Sequence, residues 1–329
     1  MNIGILYSDT KNYNGIREYA SNLYYGLQNK VDVKMLPIKK LEVKIGNKKI
    51  GGFISSEIYQ YIKKLGKGYD ITHATSHWII NNYTNVATVH DIFKISMPIV
   101  FRISNVEKNY YLKYFKKLED MKAIFVLSNY VKKDLSHYVK NTNIFSIPMG
   151  TPIDYQKNFI EQDLGIKLEN PFTNNKLHLV TMGEIHKSNN RKKIWELYDF
   201  VKDLPDVELY HIGYVTDEFK NYAKNIIQLG FVGTIQKIEY LMYADKFVFD
   251  TYAEGQGIPV MEAMKLNTQV IINDIPIHRE LLEDKPYYFH NKDEFIDLIY
   301  KDKKQGLIEQ IKKYDNWINE YLKIYEAIV

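Results

Sequence analysis

Between Phe247 and Lys265 a β-rich run, a glycine turn and a proline-started helix follow one another without a break: Phe-Val-Phe-Asp-Thr-Tyr-Ala-Glu-Gly-Gln-Gly-Ile-Pro-Val-Met-Glu-Ala-Met-Lys. A strand that passes into a helix through Gly255 and Gly257 lets the backbone come close to a ligand. The free N–H groups and the dipole of a helix starting near Pro259 attract an anion. Two carboxylates bracket this cradle: Glu254 lies before the turn and Glu262 inside the helix, with seven residues between them. Acids beside a phosphate site suit neutral hydroxyls, as on a ribose or a hexose. The turn and helix end, Gly255, Gln256, Gly257, Ile258 and Pro259, would then hold a diphosphate. Glu262 has a second explanation, because an acid near a helix N-terminus gains roughly 0.3–1 kcal/mol from the dipole. Glu254 lies outside the helix and has no such explanation.

Short apolar runs alternate with helical patterns along the rest of the chain, the sign of parallel α/β layers. Strands are predicted near 2–7, 32–38, 69–75, 85–91, 122–128 and 142–148, then near 177–182, 207–212, 226–229, 246–251, 269–273 and 286–289. Ser128 is a candidate N-cap for a helix over 129–138, and Gly46 to Gly52 read as a turn-rich excursion. Residues 148–175, with prolines, glycines and polar runs, separate the two series. The pattern predicts one domain over 1–152 and a second over 153–314, followed by an amphipathic helix over 315–329. Ligands of doubly wound sheets bind beyond the carboxyl ends of the strands. Gly15, His90 with Asp91, Gly183, Gly213 and Glu254 all fall at such ends. A lone histidine is usually structural, but His90 beside Asp91 at a strand end is a candidate for holding a sugar. His73 and His77 have helical spacing in a stretch that reads as strand and lack an acidic third ligand, so no metal site is expected there.

The stretch from Glu254 to Glu262 resembles the glutamate, seven residues, glutamate signature of the retaining GT-B glycosyltransferases of family four, the glycosyl transferases group 1. Other strings follow in the family's order. Asn14-Gly15-Ile16-Arg17-Glu18-Tyr19 resembles its glycine turn between first strand and first helix, and Val89-His90-Asp91 its histidine-aspartate strand end. Ile147-Pro148-Met149-Gly150-Thr151-Pro152-Ile153-Asp154 resembles the interdomain passage, and Val180 to Glu184 with Arg191 and Lys192 the basic loop opening the second domain. The resemblance implies two Rossmann-like, doubly wound parallel-sheet domains facing across a cleft, with the helix 315–329 packed back on the first. It implies transfer of a hexose-type sugar from a nucleoside diphosphate sugar to a hydroxyl of a glycan or lipid-linked acceptor, with retention of configuration.

By that resemblance His90 and Glu254 are the catalytic pair, and Asn14, Gly15, Arg191, Lys192, Gly255 to Pro259 and Glu262 bind the donor. Asp91 and His73 belong to the acceptor or sugar side. The loop from Glu184 to Lys193 is longer than usual, which makes Lys187 a competitor of Arg191 and Lys192 for the diphosphate. Met149 stands where the family has asparagine, and Asp250-Thr251 where Pro-Ser is common. A sugar-nucleotide 2-epimerase and an inactive sugar-nucleotide-binding module are alternatives on the same fold.

The chain of 329 residues has no cysteine and no Asp-x-Asp sequence, so neither a thiolate site nor the paired aspartates of a metal-held diphosphate is expected, and no cofactor. The amino terminus reads as a buried strand and no run approaches the roughly 18 apolar residues of a membrane span, which points to a cytoplasmic protein. Charge is uneven: residues 1–150 hold 22 Lys and Arg against 11 Asp and Glu. This is either a solvated lysine-rich surface or one that meets an anionic partner; no nucleic acid is expected. In the helix candidate 103–122, Tyr110, Tyr111, Tyr114 and Phe115 interleave with Lys108, Lys113, Lys116 and Lys117. Such a helix either docks peripherally on an anionic membrane or packs its aromatics inward as an ordinary crossover.

Overall fold

A computed structural model of the chain describes residues 1–9, 15–39, 43–45, 48–50, 59–98, 100–101, 103–185 and 191–329. The apolar runs form two six-stranded sheets, parallel throughout. The first holds β1 (Asn2–Ser8), β2 (Asp32–Ile38), β5 (Ile71–Ala74), β6 (Val86–Val89), β7 (Ala123–Val126) and β8 (Ile144–Ser146) in the order β2-β1-β5-β6-β7-β8. The second holds β9 (Leu177–Met182), β10 (Val207–Ile212), β11 (Ile226–Gly230), β12 (Lys246–Phe249), β13 (Gln269–Asn273) and β14 (Tyr287–Phe289) in the order β11-β10-β9-β12-β13-β14. Between β2 and β5 the chain makes a short antiparallel pair, β3 (Val43–Ile45) with β4 (Lys48–Ile50), where the sequence suggested only turns.

The chain divides into two compact units: Met1–Ser96, Ile103–Met149 and Asn316–Val329 in the first, Met97–Arg102 and Gly150–Asp315 in the second. In the first unit α1 (Gly15–Leu27) buries Tyr19, Ala20, Leu23 and Leu27, a single helical stripe against the sheet. The terminal helix α10 (Trp317–Ile328) carries a second stripe, Trp317, Tyr321 and Tyr325 at four-residue spacing. Tyr321 stacks on Phe125 with ring centroids 3.8 Å apart, and its hydroxyl accepts from that of Tyr19 at 3.0 Å. Tyr19 and Thr88 are linked at 2.7 Å, Thr88 and His73 Nε2 at 2.7 Å, and His73 Nδ1 and Tyr325 at 2.6 Å.

This network corrects the expectation for His73. Its ring is fully buried and both nitrogens are engaged, while burial pushes its pKa down to about 3, so it is a neutral link between sheet and returning helix. The structure also decides between the two alternatives for the aromatic helix. In α2 (Asn105–Leu118), capped by Ser104 and Glu107, Tyr111, Tyr114, Phe115 and Leu118 are buried and Tyr110 packs against the same core. Lys108, Lys113 and Lys116 face water, and Lys117 donates to the Ile80 carbonyl at 2.8 Å. The helix is a packed crossover; its aromatics are not a surface. The Ser128 cap is present, accepting from Val131 N–H ahead of α3 (Asn129–Leu135).

In the second unit two glycines close the end of the sheet. Gly183 and Gly213, at φ +152° and +141°, follow β9 and β10, and a Cβ on Gly213 would lie 1.8 Å from the Gly183 carbonyl oxygen. His211 fixes that carbonyl from behind at 2.7 Å.

Replacing Tyr325 by Phe leaves His73 Nδ1 unpaired in the core, which costs about 1–3 kcal/mol. A lower urea midpoint than that of the native chain is expected, while the exposed change Glu326→Ala on the same helix leaves it in place.

Candidate active site

The carboxyl ends of the second sheet gather acids and bases through one piece of backbone pairing. Residues 191–193 lie antiparallel beside 250–252: Lys193 N–H donates to Asp250 at 2.9 Å and Tyr252 N–H to Arg191 at 2.8 Å. The Thr251 hydroxyl adds a bond to the Arg191 carbonyl at 3.0 Å. Three buried carboxylates each meet a cation here. Asp250 lies 3.3 Å from Lys193, Glu254 3.7 Å from Arg191, and Glu262 2.6 Å from Lys237. Lys192 runs past Gly183, where a Cβ would fall 2.7 Å from its Cδ, and its ammonium stands 5.2 Å from the centre of the Phe249 ring. Burial lowers the Lys192 pKa and the Glu254 charge opposes that shift.

Gly255, Gln256 and Gly257 are buried in the turn that follows. Gly257, at φ +81°, caps α6 (Ile258–Lys265), a left-handed position that only glycine takes without strain. Pro259 has no N–H, and those of Val260 and Met261 return to the Gly257 carbonyl at 3.0 and 3.2 Å. These bonds leave Ile258 as the first amide of the helix that could meet an anion. Glu262 is the fifth residue of α6, beyond the first turn, where the dipole effect has faded. Its burial beside Lys237, on α5 (Thr234–Tyr243), is the better reason for its place.

Two groups near Glu254 lack a hydrogen-bond partner among the described residues: its own Oε1 and His278 Nε2, both buried. His278 opens α7 (Pro276–Leu282), and its Nδ1–H donates to the Asn273 carbonyl at 3.0 Å, which leaves Nε2 an acceptor. Burial lowers its pKa, while the Asn273 carbonyl and Glu254 pull the other way. Two acceptors without donors suit a ligand rich in hydroxyls. The sequence did not point to Lys237 or His278, which lie in other helices and carry no local motif.

In the first unit Gly15 opens α1, and a Cβ there would meet nothing within 4 Å. His90 follows β6 and donates through Nε2 to the Thr75 carbonyl at 2.8 Å; its ring stands edge-on to Tyr19 at 4.9 Å. Burial lowers the His90 pKa, against the Thr75 bond and the Asp91 charge, and Asp91 itself is half-buried. Asn14 and Lys187 lie outside the described residues. Among the described residues no cluster of three or more His, Asp or Glu is placed to hold a metal ion, and no helix is long and apolar enough to cross a membrane.

Residues 176–313 match the family described as glycosyl transferases group 1. The whole chain shares its fold with sucrose-phosphate synthase from Thermosynechococcus elongatus: TM-score 0.74 at 16% identity, covering 100% of this chain and 99% of that one. The chain has the two-domain GT-B fold. Its fold is also similar to Anabaena HepE, solved in complex with UDP and glucose, with TM-score 0.66 at 15% identity over 100% of this chain and 98% of the other. In sequence it is 31% identical over 123 residues to the processive diacylglycerol alpha-glucosyltransferase of Acholeplasma laidlawii, covering 34% of this chain and 37% of that protein. It is 34% identical over 74 residues to the O-antigen chain mannosyltransferase RfbU of Salmonella typhimurium, covering 22% and 21%. The matched segments thus span well under half of either relative.

Burial pushes the Asp250 carboxyl up from 3.8 to about 6 despite Lys193. A folded pKa above the unfolded value gives stability that is present below about 4 and is lost as pH rises toward 6. Asp250→Asn removes that loss and leaves Lys193 its 2.7 Å partner Glu196. Calorimetry across a pH series is expected to find its Tm at pH 7.5 equal to or above that of the native chain, with a smaller relative difference at pH 4.

Proposed function

We propose that the chain is a retaining hexosyltransferase that moves a sugar from a nucleoside diphosphate donor to a hydroxyl of a glycan or lipid-linked acceptor. The observation that carries this reading is the pairing of Glu254 with Arg191 beside the Gly257 turn, with Glu254 Oε1 left without a donor. Arg191, Lys192 and the turn hold the diphosphate, and Glu254 faces the transferred sugar. Gly15, whose absent side chain no described neighbour requires, leaves room for close approach on the first unit. His90 and Asp91 serve the sugar or acceptor there. In the reaction the anomeric C–O bond to the diphosphate breaks and a new C–O bond forms on the same face. The acceptor proton passes to the departing phosphate, whose charge the basic groups answer without a metal ion.

Hexose transfer is supported by the glucosyl and mannosyl activities in the relatives' names, and the lipid or glycan acceptor by diacylglycerol and O-antigen in the same names. Work at the cytoplasmic face of a membrane would draw on charge alone, through exposed lysines such as Lys108, Lys113 and Lys116, since the aromatics of α2 are in the core.

Thermal-shift screening against UDP- and GDP-hexoses identifies the donor, because a ligand of the folded state raises the Tm. With that donor, Glu254→Gln is expected to lower turnover about a hundredfold or more while changing nucleoside diphosphate affinity little, and native turnover to persist in excess EDTA. Native-like turnover in Glu254→Gln refutes the assignment of that acid. Donor conversion without any acceptor would instead identify an epimerase, and binding without turnover a sugar-nucleotide-binding module.

A further inference from the structure

Glu262 and Lys237 meet across two helices, the acid in the second turn of α6 and the lysine in the first turn of α5. Lys237 is the fourth residue of a helix whose N-terminal end is positive, so its ammonium stands against the dipole. Its own amide makes the regular bond to the Gly233 carbonyl at 2.9 Å, so no local distortion of the helix accounts for the position. The carboxylate offsets the conflict: Lys237 Nζ lies 2.6 Å from Glu262 Oε1, with side chains only 15% and 3% exposed. Glu262 Oε2 has no partner among the described residues, yet it is not sealed off as Glu254 Oε1 is. A carboxylate clamped at one oxygen and open at the other is a directional acceptor, suited to the hydroxyls of a vicinal diol.

Resting on the reading of the second unit as the donor site, with Glu262 on the ribose, we propose that Lys237 is the positioning residue of that contact. It fixes the Glu262 carboxylate so that Oε2 meets the 2′- and 3′-hydroxyls, and so makes the site prefer ribonucleotides. The role is distinct from binding phosphate, because Lys237 acts through Glu262.

Lys237→Met removes the charge and keeps an apolar stem for packing. The full chain is titrated calorimetrically with UDP, GDP and ADP and with their 2′,3′-dideoxy forms, with far-ultraviolet dichroism as the folding control. The native chain is expected to bind its preferred ribonucleotide about tenfold or more tighter than the dideoxy form, as for a hydrogen bond to a charged acceptor. In Lys237→Met the ratio is expected to fall close to one through loss of ribonucleotide affinity alone, and in Lys237→Arg to recover. Damage to packing alone would weaken both forms equally. A native ratio retained in Lys237→Met overturns the inference, as does an equal loss for both forms. Tighter ribonucleotide binding by that variant also overturns it, marking the lysine as a competitor of the ligand. If the folded native chain binds none of the three diphosphates, the donor reading fails and the inference with it. If it binds one without preferring ribose, the inference alone fails.

Discussion

A carboxylate removed from water has to be answered by a positive charge, by hydrogen-bond donors or by a proton, and the second unit of this chain is organised around that constraint. Asp250, Glu254 and Glu262 are all buried at the carboxyl end of one sheet, and each has its own cation. The separations grade from 2.6 Å at Glu262 through 3.3 Å at Asp250 to 3.7 Å at Glu254. The tightest pair is a clamp and the loosest leaves the acid with an unanswered oxygen. Asp250 lies between them in distance, but both of its oxygens lack a hydrogen-bond partner among the described residues, and burial answers this by raising its pKa. Much of the local backbone serves to hold these charges. The 191–193 and 250–252 pairing brings the basic loop to the acids, and two glycines with φ above +140° let it run close to the strand ends.

The parallel sheets were legible in the sequence because their strands are short, apolar and bounded by glycine, proline or polar turns. Thus 177–182, 207–212 and 269–273 coincide with β9, β10 and β13. The glycine turn into α6 was legible for the same reason, since Gly257 needs a conformation that few residues tolerate. What stayed hidden depends on distance in the chain. Lys237 meets an acid 25 residues away, and His73 is held by a tyrosine 252 residues away. No periodicity encodes such pairs. The aromatics of α2 were ambiguous because stripes facing a core and stripes facing a membrane have the same spacing, and only the neighbours distinguish them. The β3–β4 pair was missed because two three-residue strands are too short to show an alternating pattern.

The histidines of this GT-B chain divide by what surrounds their nitrogens. His73 and His211 are saturated by tyrosine, threonine or carbonyl partners and tie elements together. His77 is buried with neither nitrogen paired among the described residues, and burial pushes its pKa down to about 3. His278 is tied at one nitrogen and open at the other, the state that a binding site can use. Position at a strand end separates these cases less well than the count of satisfied nitrogens.

The terminal helix also sets an order of events. The first unit takes its α10 stripe from residues 316–329, so its core stays incomplete until that segment has docked. Apart from Met97–Arg102, the second unit draws on the continuous run Gly150–Asp315 and lacks nothing once that run is present. During synthesis the later unit can therefore reach its final structure before the earlier one. Until then β5, β6 and β7 have no cover for His73, Thr88 and Phe125, and this half-built sheet is the stage at which the growing chain most needs protection from aggregation.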